Sequence, residues 1–393
     1  MPPLLIAAIV VLSEGLSTAA LFPVIHAYCA ELGGSETWVG ILFALVAGPK
    51  VFTNPTWGHV SDRVGRRPTL LIICVGTLTG SVLWALAPTL AWLAISRLVV
   101  GLFAAQAVVA SALAADVSTP QRRAASMALL GIAFGLAVTI GPALGGVIGA
   151  RVSYAAVGWL CASVQLVSLA LVATMLRETR PPRAARGAVA AAPLVWRSGP
   201  IAALLAATLV MTAGYAQLFS AFGLYLEHAW GFGAEGAGYL FALLGFVAAL
   251  AQGGVRALVA RFDERGVALL GLSLLCLGLA GVPLTARFAA FLTALILVAA
   301  GQGLAIPCVT GLVSRAASAA SQGAVMGYHQ AATGLGRAVG FLLGGLLFHR
   351  LGPGAPFLSG ATLVAASIPF LFVNRGAATH DDAEAEASIA QSE

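Results

Sequence analysis

Charged residues are scarce in this chain. Only 9% of its 393 residues are charged and 60% are hydrophobic, whereas about 25% of an average soluble protein is charged. Lysine is almost absent, because Lys50 is the only one. So few charges exclude an ordinary soluble enzyme. The lack of any lysine-rich stretch argues against a nucleic-acid partner despite the formal net charge of +6.

Paired cysteines and cofactor motifs are also missing. The five cysteines lie singly in or beside apolar segments, without the spacing of a zinc site or a disulfide framework. The sequence has no glycine-lysine nucleotide loop and no His-Glu-x-x-His metal motif. We therefore expect no cofactor, no metal and no catalytic residues.

Long apolar runs fill most of the chain. A helix needs about 20 apolar residues to cross the roughly 30 Å hydrocarbon core of a bilayer. The run at the N-terminus continues past Glu14 without a basic leader, so it is interpreted as a retained first helix. The pattern predicts twelve membrane spans, at 4–28, 37–57, 69–87, 90–115, 125–149, 154–176, 199–223, 235–259, 267–286, 289–313, 324–349 and 355–374.

The arginines predict how these spans are oriented. Basic residues in short loops are retained on the cytoplasmic side of a membrane. Fifteen arginines fall at the ends of even-numbered spans or in the tail, and only Arg151, Arg287 and Arg350 fall on the opposite side. This asymmetry predicts a multi-pass protein of the cell inner (plasma) membrane with both termini in the cytoplasm.

An arginine-rich break divides the spans six and six. It carries five arginines and a Pro-Pro pair. Segment 257–266 is a degenerate repeat of segment 58–67, which is typical of two bundles related by an axis along the membrane normal. We expect a monomer. Its predicted parts are a six-helix bundle at 1–176, a cytoplasmic linker at 177–198, a second six-helix bundle at 199–375 and a disordered acidic tail at 376–393.

Segment 58–67, Gly-His-Val-Ser-Asp-Arg-Val-Gly-Arg-Arg, lies between the second and third spans. Its glycines permit a tight turn, and its aspartate can accept hydrogen bonds from helix amides or arginines. The segment resembles the signature loop of the major facilitator superfamily, where this cluster latches the outward-facing state. A purely topological basic loop is the alternative. The resemblance implies gating roles for Gly58, Asp62, Arg63, Gly65, Arg66, Arg67 and Asp116.

Two further motifs extend this resemblance. Arg97 with Gly101 is similar to the second motif of the superfamily, and Gly-Pro-Ala-Leu-Gly-Gly at 141–146 is similar to the core of its antiporter motif. Ala128 and Ala137 depart from the glycines of the full pattern. The resemblance implies export, and a packing kink without a role in direction is the alternative. The antiporter-motif residues are Gly141, Pro142, Gly145 and Gly146.

In overall pattern the chain resembles the twelve-helix drug/proton antiporters, particularly the tetracycline exporters. Glu14 ahead of Pro23, Ala115-Asp116, 303–307 and Gln322-Gly323 carry this likeness. It implies an all-α membrane protein of twelve helices in two six-helix bundles. It also implies exchange of protons for amphiphilic small molecules, as in antibiotic resistance.

Glu14 is the only carboxylate predicted well inside a span, ~15 Å from either end. Such a residue costs about 2.5 kcal/mol or more and points to function. When it loses its proton, a cationic group or substrate can replace that proton, so we predict proton coupling at Glu14. The resemblance adds Arg97 as its partner. The alternative is a permanent ion pair between Glu14 and either Lys50 or Arg97.

Buried cations outnumber buried carboxylates in the predicted spans. Lys50, Arg97 and Arg337 together favour an anionic or carboxylate-bearing substrate, but a salt bridge from Lys50 to Glu14 would remove that inference, and both arrangements stay open. Tyr215, Phe219, Phe222 and Tyr328 are candidate walls. The predicted substrate-binding residues are Lys50, Asn54, Gln106, Gln217, Gln302, His329 and Arg337.

Three functions follow from these patterns. The first is proton-coupled export of amphiphilic small molecules, with protons and the lipid bilayer as further partners. The second is export of an anionic metabolite or siderophore-type compound. The third is a membrane sensor on the same fold that transports nothing.

Overall fold

The computed structural model describes residues 1–119, 122–179, 199–317 and 321–373. Within these ranges the chain forms helices and no strand, which confirms an all-helical protein. Most of the predicted linker and the whole predicted acidic tail lie outside the described residues. Short 3-10 turns occupy Val282–Leu284 and Ile368–Phe372. The helices are α1 Pro3–Ala19, α2 Ile25–Glu31, α3 Glu36–Val64, α4 Arg66–Ala85, α5 Leu90–Phe103, α6 Gln106–Val117, α7 Arg123–Arg151, α8 Tyr154–Met175, α9 Gly199–Trp230, α10 Ala234–Gly281, α11 Phe288–Ala316, α12 Gln322–Leu351 and α13 Ala355–Ser367.

Ten helical stretches in the described part of the chain are long and apolar enough to cross a membrane. Helix α1 is apolar but shorter, with 17 residues. One stretch, Ala234–Leu284, has 51 residues, about twice what a span needs. Its backbone leaves helical geometry at Asp263, where φ is 61° and ψ is 170°. The Asp263 carboxylate accepts the Gly266 N–H at 2.5 Å, and so caps the helical segment that follows.

Two predicted spans contain breaks that the hydropathy pattern does not show. The span at 4–28 divides into α1 and α2 around Pro23, which has no N–H to continue a helix. The span at 90–115 divides at Ala104 and Ala105, between α5 and α6. Neither alanine favours a break, so the second division arises from tertiary packing.

The predicted loop at 58–67 is shorter than the sequence suggests. Helix α3 continues through Gly58 to Val64, and α4 begins at Arg66. Only Gly65 makes the turn, with φ of 119°, a conformation that favours glycine.

The helices pack as two sets. The first set, α1–α8, and the second set, α9–α13, meet mainly where α3 contacts α12 and α7 contacts α10. The largest cluster of buried apolar side chains lies wholly in the second set, and another lies wholly in the first. A third cluster joins the two sets around Phe43 and Phe341. We name the two ends of the molecule after α3: the Glu36 end, where it begins, and the Gly65 end, where it stops.

Candidate functional site

A cavity of about 370 Å³ lies between the two helix sets. Residues of the first set line one side, and residues of α9 to α12 line the other. This volume lies in the range of pockets that hold one small molecule. Its charged and amide lining consists of Glu14, Lys50, Asn54, Arg97, Gln165, Gln252, Gln302, Gln330 and Arg337.

Glu14 is held from two directions in this cavity. Its Oε1 accepts a hydrogen bond from Lys50 Nζ at 3.0 Å, and its Oε2 accepts the Ala107 N–H at 2.8 Å. The Ala107 amide lies in the first turn of α6, where N–H groups have no carbonyl partner within their own helix. The break between α5 and α6 therefore supplies a donor, and the positive end of a helix dipole, to the carboxylate. Sequence reasoning treated 90–115 as unbroken and missed this contact.

The Lys50–Glu14 contact is one of the two arrangements that the sequence left open. The Lys50 side chain is 24% exposed and that of Glu14 is 9% exposed, so the pair lies at the cavity wall. With its ammonium on Glu14, Lys50 is not a free cation in this structure. Its predicted contact with substrate stays a prediction.

Arg97 is 4% exposed and lies against an aromatic ring. Its guanidinium carbon is 4.4 Å from the centroid of the Trp84 ring, and its Nη2 donates to Ser96 Oγ at 2.9 Å. A cation over an aromatic face gains ~0.5–2 kcal/mol. Within the described ranges the structure does not bring Arg97 into an ion pair with Glu14, so the coupling role of Arg97 stays a prediction.

The predicted amides divide between the cavity and the helix packing. Asn54 and Gln302 line the cavity. Gln106 is fully buried, where its Nε2 donates to Thr77 Oγ1 at 3.0 Å and to Gln165 Oε1 at 3.2 Å. Gln217 is fully buried too, and its amide has no partner among the described residues. Gln106 and Gln217 therefore lie outside the cavity lining, and Gln106 bonds between helices instead.

His329 and Arg337 line a second, smaller pocket of about 40 Å³ next to Gln302. The His329 ring lies between two hydroxyls, with Nδ1 3.2 Å from Thr208 Oγ1 and Nε2 3.1 Å from Thr310 Oγ1. These contacts hold α9, α11 and α12 together. Arg337 lines both pockets.

Five aromatic rings close the cavity toward the Glu36 end, and we call them the aromatic floor. The rings of Phe22 and Phe219 are 5.0 Å apart, and those of Phe43 and Phe341 are 5.1 Å apart, so rings of the two helix sets meet here. Sequence reasoning identified only Phe219, because the rings come from distant parts of the chain. Of its other candidate walls, Tyr215 lines the cavity, whereas Phe222 and Tyr328 lie outside its lining. The aromatic floor is Phe22, Phe43, Phe219, Phe241 and Phe341.

Arg66 organises the Gly65 end. It is 4% exposed; its Nε donates to Asp116 Oδ2 at 2.8 Å and its Nη1 contacts Asp62 Oδ1 at 2.9 Å. The carboxylate of Glu178 accepts the N–H groups of Arg66 and Arg67 at 2.9 and 3.1 Å, and so caps α4. Sequence reasoning missed Glu178, which follows α8. Gly58 lies within α3 near Val108, and Arg63 lies in the last turn of α3.

The second helix set repeats this arrangement with the charges exchanged. Gly65 and Asp263 both have positive φ at the turn before a helix. Arg66 pairs with Asp116 in the first set, whereas Glu264 pairs with Arg315 in the second. The sequence repeat of 58–67 with 257–266 aligns Gly65 with Glu264. The backbone geometry instead aligns Gly65 with Asp263, one residue earlier.

The predicted antiporter motif packs α7 against two neighbours. Pro142 lies inside α7 and lines the cavity. A side chain at Gly145 would collide with the backbone of Ala20 after α1, and one at Gly146 would lie 2.5 Å from the Ala234 carbonyl of α10. Gly141 likewise faces the end of α1. The small residues therefore allow α7 to approach both the first set and the second.

Polar pairs join the two helix sets at the Glu36 end. Arg151 Nη2 lies 2.7 Å from Glu235 Oε1, and His349 Nδ1 lies 2.8 Å from Glu36 Oε2. These residues lie on α7, α10, α12 and α3, the four helices that form the main contacts between the sets. Sequence reasoning singled out none of these pairs, since no motif connects their positions.

Known proteins resemble this chain both in sequence and in fold. The chain is 28% identical over 358 residues to the tetracycline resistance protein, class D, of Salmonella ordonez, covering 88% of this chain and 90% of that protein. The human organic anion transporter MFSD10 (TETRAN) superposes with a TM-score of 0.69 at 21% identity, covering 94% of this chain and 100% of that one. A mutant of the nucleoside transporter NupG superposes with a TM-score of 0.79 at 12% identity, covering 95% and 100%.

The two structural likenesses show a shared fold, because their sequence identities are low. The family model of the Major Facilitator Superfamily matches residues 7–254 and 203–391, which together span nearly the whole chain. The chain therefore belongs to the major facilitator superfamily.

Proposed function

We propose that this chain is a proton-coupled exporter of amphiphilic small molecules. It works by alternating access in the cell inner (plasma) membrane, as a monomer and without catalysis of its own. The tetracycline resistance protein that it resembles makes drugs of that class the first substrates to test.

The observation that carries this proposal is a carboxylate inside the cavity between the two helix sets. Glu14 is 7% exposed and is held by a lysine and a backbone amide. A charge in that setting is costly, so gain or loss of one proton changes which contacts and which ligands the cavity favours. Proton binding there is therefore linked to the conformation of the two sets.

Alternating access is supported by the uneven contacts between the sets. At the Glu36 end the sets are joined by the two polar pairs, by the aromatic floor and by close backbone contacts. At the Gly65 end, the positions of Gly131 and Gly327 face open space among the described residues. We propose that the sets rock about the cavity, so that the Glu36 end opens when the Gly65 end closes.

A membrane orientation completes the proposal. The arginine distribution assigns the Gly65 end and both termini to the cytoplasm. Division of Ala234–Leu284 at Asp263, together with α1, raises the ten long apolar stretches to twelve spans. These spans form two bundles of six, at 1–176 and 199–375, joined by the linker 177–198.

Reconstitution into proteoliposomes tests the coupling role. We expect Glu14→Gln to abolish proton-driven uphill movement of tetracycline or another transported drug, because the amide cannot exchange a proton at neutral pH. Glu31→Gln is the matched control, since Glu31 is an exposed carboxylate at the end of α2. Undiminished uphill transport by Glu14→Gln would refute proton coupling at this residue.

An exporter of an anionic metabolite is the second candidate function. It is favoured by the three cations, Lys50, Arg97 and Arg337, that line the cavity with only one carboxylate. Transport of small anionic metabolites without any transport of amphiphilic drugs would support it over the first candidate.

A further inference from the structure

Arg337 differs from the other charged residues of the cavity because no hydrogen bond, ion pair or ring contact to the described part of the chain holds its guanidinium. Lys50 is bound to Glu14, and Arg97 lies on Trp84 and Ser96. The guanidinium of Arg337 makes no hydrogen bond, ion pair or ring contact with any described residue, although it lines both pockets. A guanidinium presents five N–H donors in a planar fork and stays charged. Its donors therefore face the cavity without an acceptor among the residues that the structure describes.

The charge balance of the cavity defines what those donors can bind. Three cations and one carboxylate line it, which leaves two positive charges in excess when all four are ionised. A cationic ligand would add a like charge next to Arg337, whereas an anionic group would offset one. Glu14 neutralises Lys50 and Arg97 is buried against Trp84, whereas Arg337 is exposed, so Arg337 is the cation of this lining that an anionic ligand can reach.

The apolar part of the ligand has a defined place next to this cation. Phe341 follows Arg337 by one helical turn on α12, and Phe219 follows Tyr215 by one turn on α9. All four side chains line the cavity. Arg337 therefore lies about 6 Å along the helix axis from the aromatic floor, a spacing that suits a ring system bearing an acidic group.

We propose that the ligand of this cavity is an amphiphilic organic anion whose carboxylate pairs with Arg337 while its rings pack on the aromatic floor. The inference rests on the proposed export of amphiphilic molecules and names their charge and orientation. A planar carboxylate matches the guanidinium fork through two parallel hydrogen bonds. Gln302 and Thr333, which line the same wall, are placed to bond further polar groups of the ligand.

Equilibrium binding to the purified protein in lipid nanodiscs tests this assignment without any proton gradient. The probes share one ring system: naphthylacetate, its neutral amide naphthylacetamide, and the cation naphthylethylammonium. We expect the wild-type protein to bind naphthylacetate ~10- to 100-fold more tightly than the amide, as charge-assisted hydrogen bonds imply, and the cation least.

Substitutions on α12 assign that preference to one side chain. Arg337→Gln is expected to remove the preference for the anion, and a thermal unfolding transition like that of the wild-type protein shows that the variant is folded. Arg337→Lys is expected to keep part of it, since it keeps the charge and loses the fork. Arg350→Gln is the matched control, because Arg350 lies exposed at the far end of the same helix.

Three results would overturn the proposal: equal binding of the three probes, no binding of naphthylacetate by the wild-type protein, or loss of the anion preference in Lys50→Gln but not in Arg337→Gln. The outcome is separate from that of proton coupling. If Glu14→Gln leaves uphill transport intact while Arg337→Gln removes the anion preference, the coupling proposal fails and this one stands.

Discussion

Substitution of Gly345 by alanine is expected to open the Glu36 end. An alanine Cβ at this position of α12 would lie 2.8 Å from the Glu36 carbonyl oxygen and 2.9 and 3.0 Å from the N and Cα of Gly40. All three atoms belong to the backbone of α3 and cannot turn away as a side chain can. Ordinary contacts begin near 3.4 Å, so α12 must withdraw from α3 by about half an ångström.

The size of the conformational shift depends on which helix contact the added methyl group crowds. Added bulk in a well-packed contact costs ~1–3 kcal/mol. Because α3 and α12 belong to different helix sets, separation of the sets at the Glu36 end relieves the whole cost. A bias of that size shifts a two-state equilibrium about 5- to 150-fold toward the state that is open at this end.

Distances between spin labels measure this shift directly. Labels attached at Ser35 and Arg350, both exposed at the Glu36 end, report the separation of the two sets by double electron–electron resonance. Gly271→Ala is the matched control, since its Cβ would meet Ala305 N at 2.6 Å and Gly301 O at 2.9 Å inside the second set. It should lower stability without changing the distance. An unchanged distance in Gly345→Ala, or an equal change in both variants, would refute the reasoning.

Two ion pairs give further predictions, both measured by chemical unfolding in detergent. In a double-mutant cycle of Glu14→Gln and Lys50→Gln, we expect a coupling energy of about 1–3 kcal/mol, because the two side chains form a hydrogen-bonded salt bridge. If the two substitutions lower the free energy of unfolding additively, this pairing is contradicted. Asp116→Asn should lower the free energy of unfolding by ~1–3 kcal/mol, since it leaves the 5%-exposed Arg66 side chain with one fewer charged partner. Asp62→Asn, at a side chain 48% exposed, should cost less than about 1 kcal/mol, and equal losses would contradict this ranking.

The sequence predicted the helices well because membrane helices form locally. Each helix satisfies its own backbone hydrogen bonds, so apolar length alone locates it. The predicted span at 154–176 corresponds to Tyr154–Met175, and that at 289–313 falls within Phe288–Ala316. The signature segment at 58–67 was also sufficient to indicate the superfamily, which the family model confirms.

The contacts of the cavity could not be predicted in the same way. The sequence placed Glu14 and Lys50 inside spans but left their pairing open, since it depends on how α1 faces α3. It gave no sign of the break at Ala104 and Ala105 that frees the Ala107 amide for Glu14. Gln106 was expected in the substrate site, yet it bonds between helices, because hydropathy does not show which face of a helix lines a cavity.

By itself, therefore, the sequence determined an all-helical membrane protein, the positions of its apolar helices and the scarcity of charges within them. Only the tertiary structure decided which of those charges are paired. It joined Lys50 to Glu14 across 36 residues, brought Phe43 against Phe341 and gave Arg337 no hydrogen-bond or ion-pair partner among the described residues. The physical reason is one of range: hydropathy acts over a single helix, whereas an ion pair or an aromatic contact depends on the relative position and rotation of two helices that are distant in the chain.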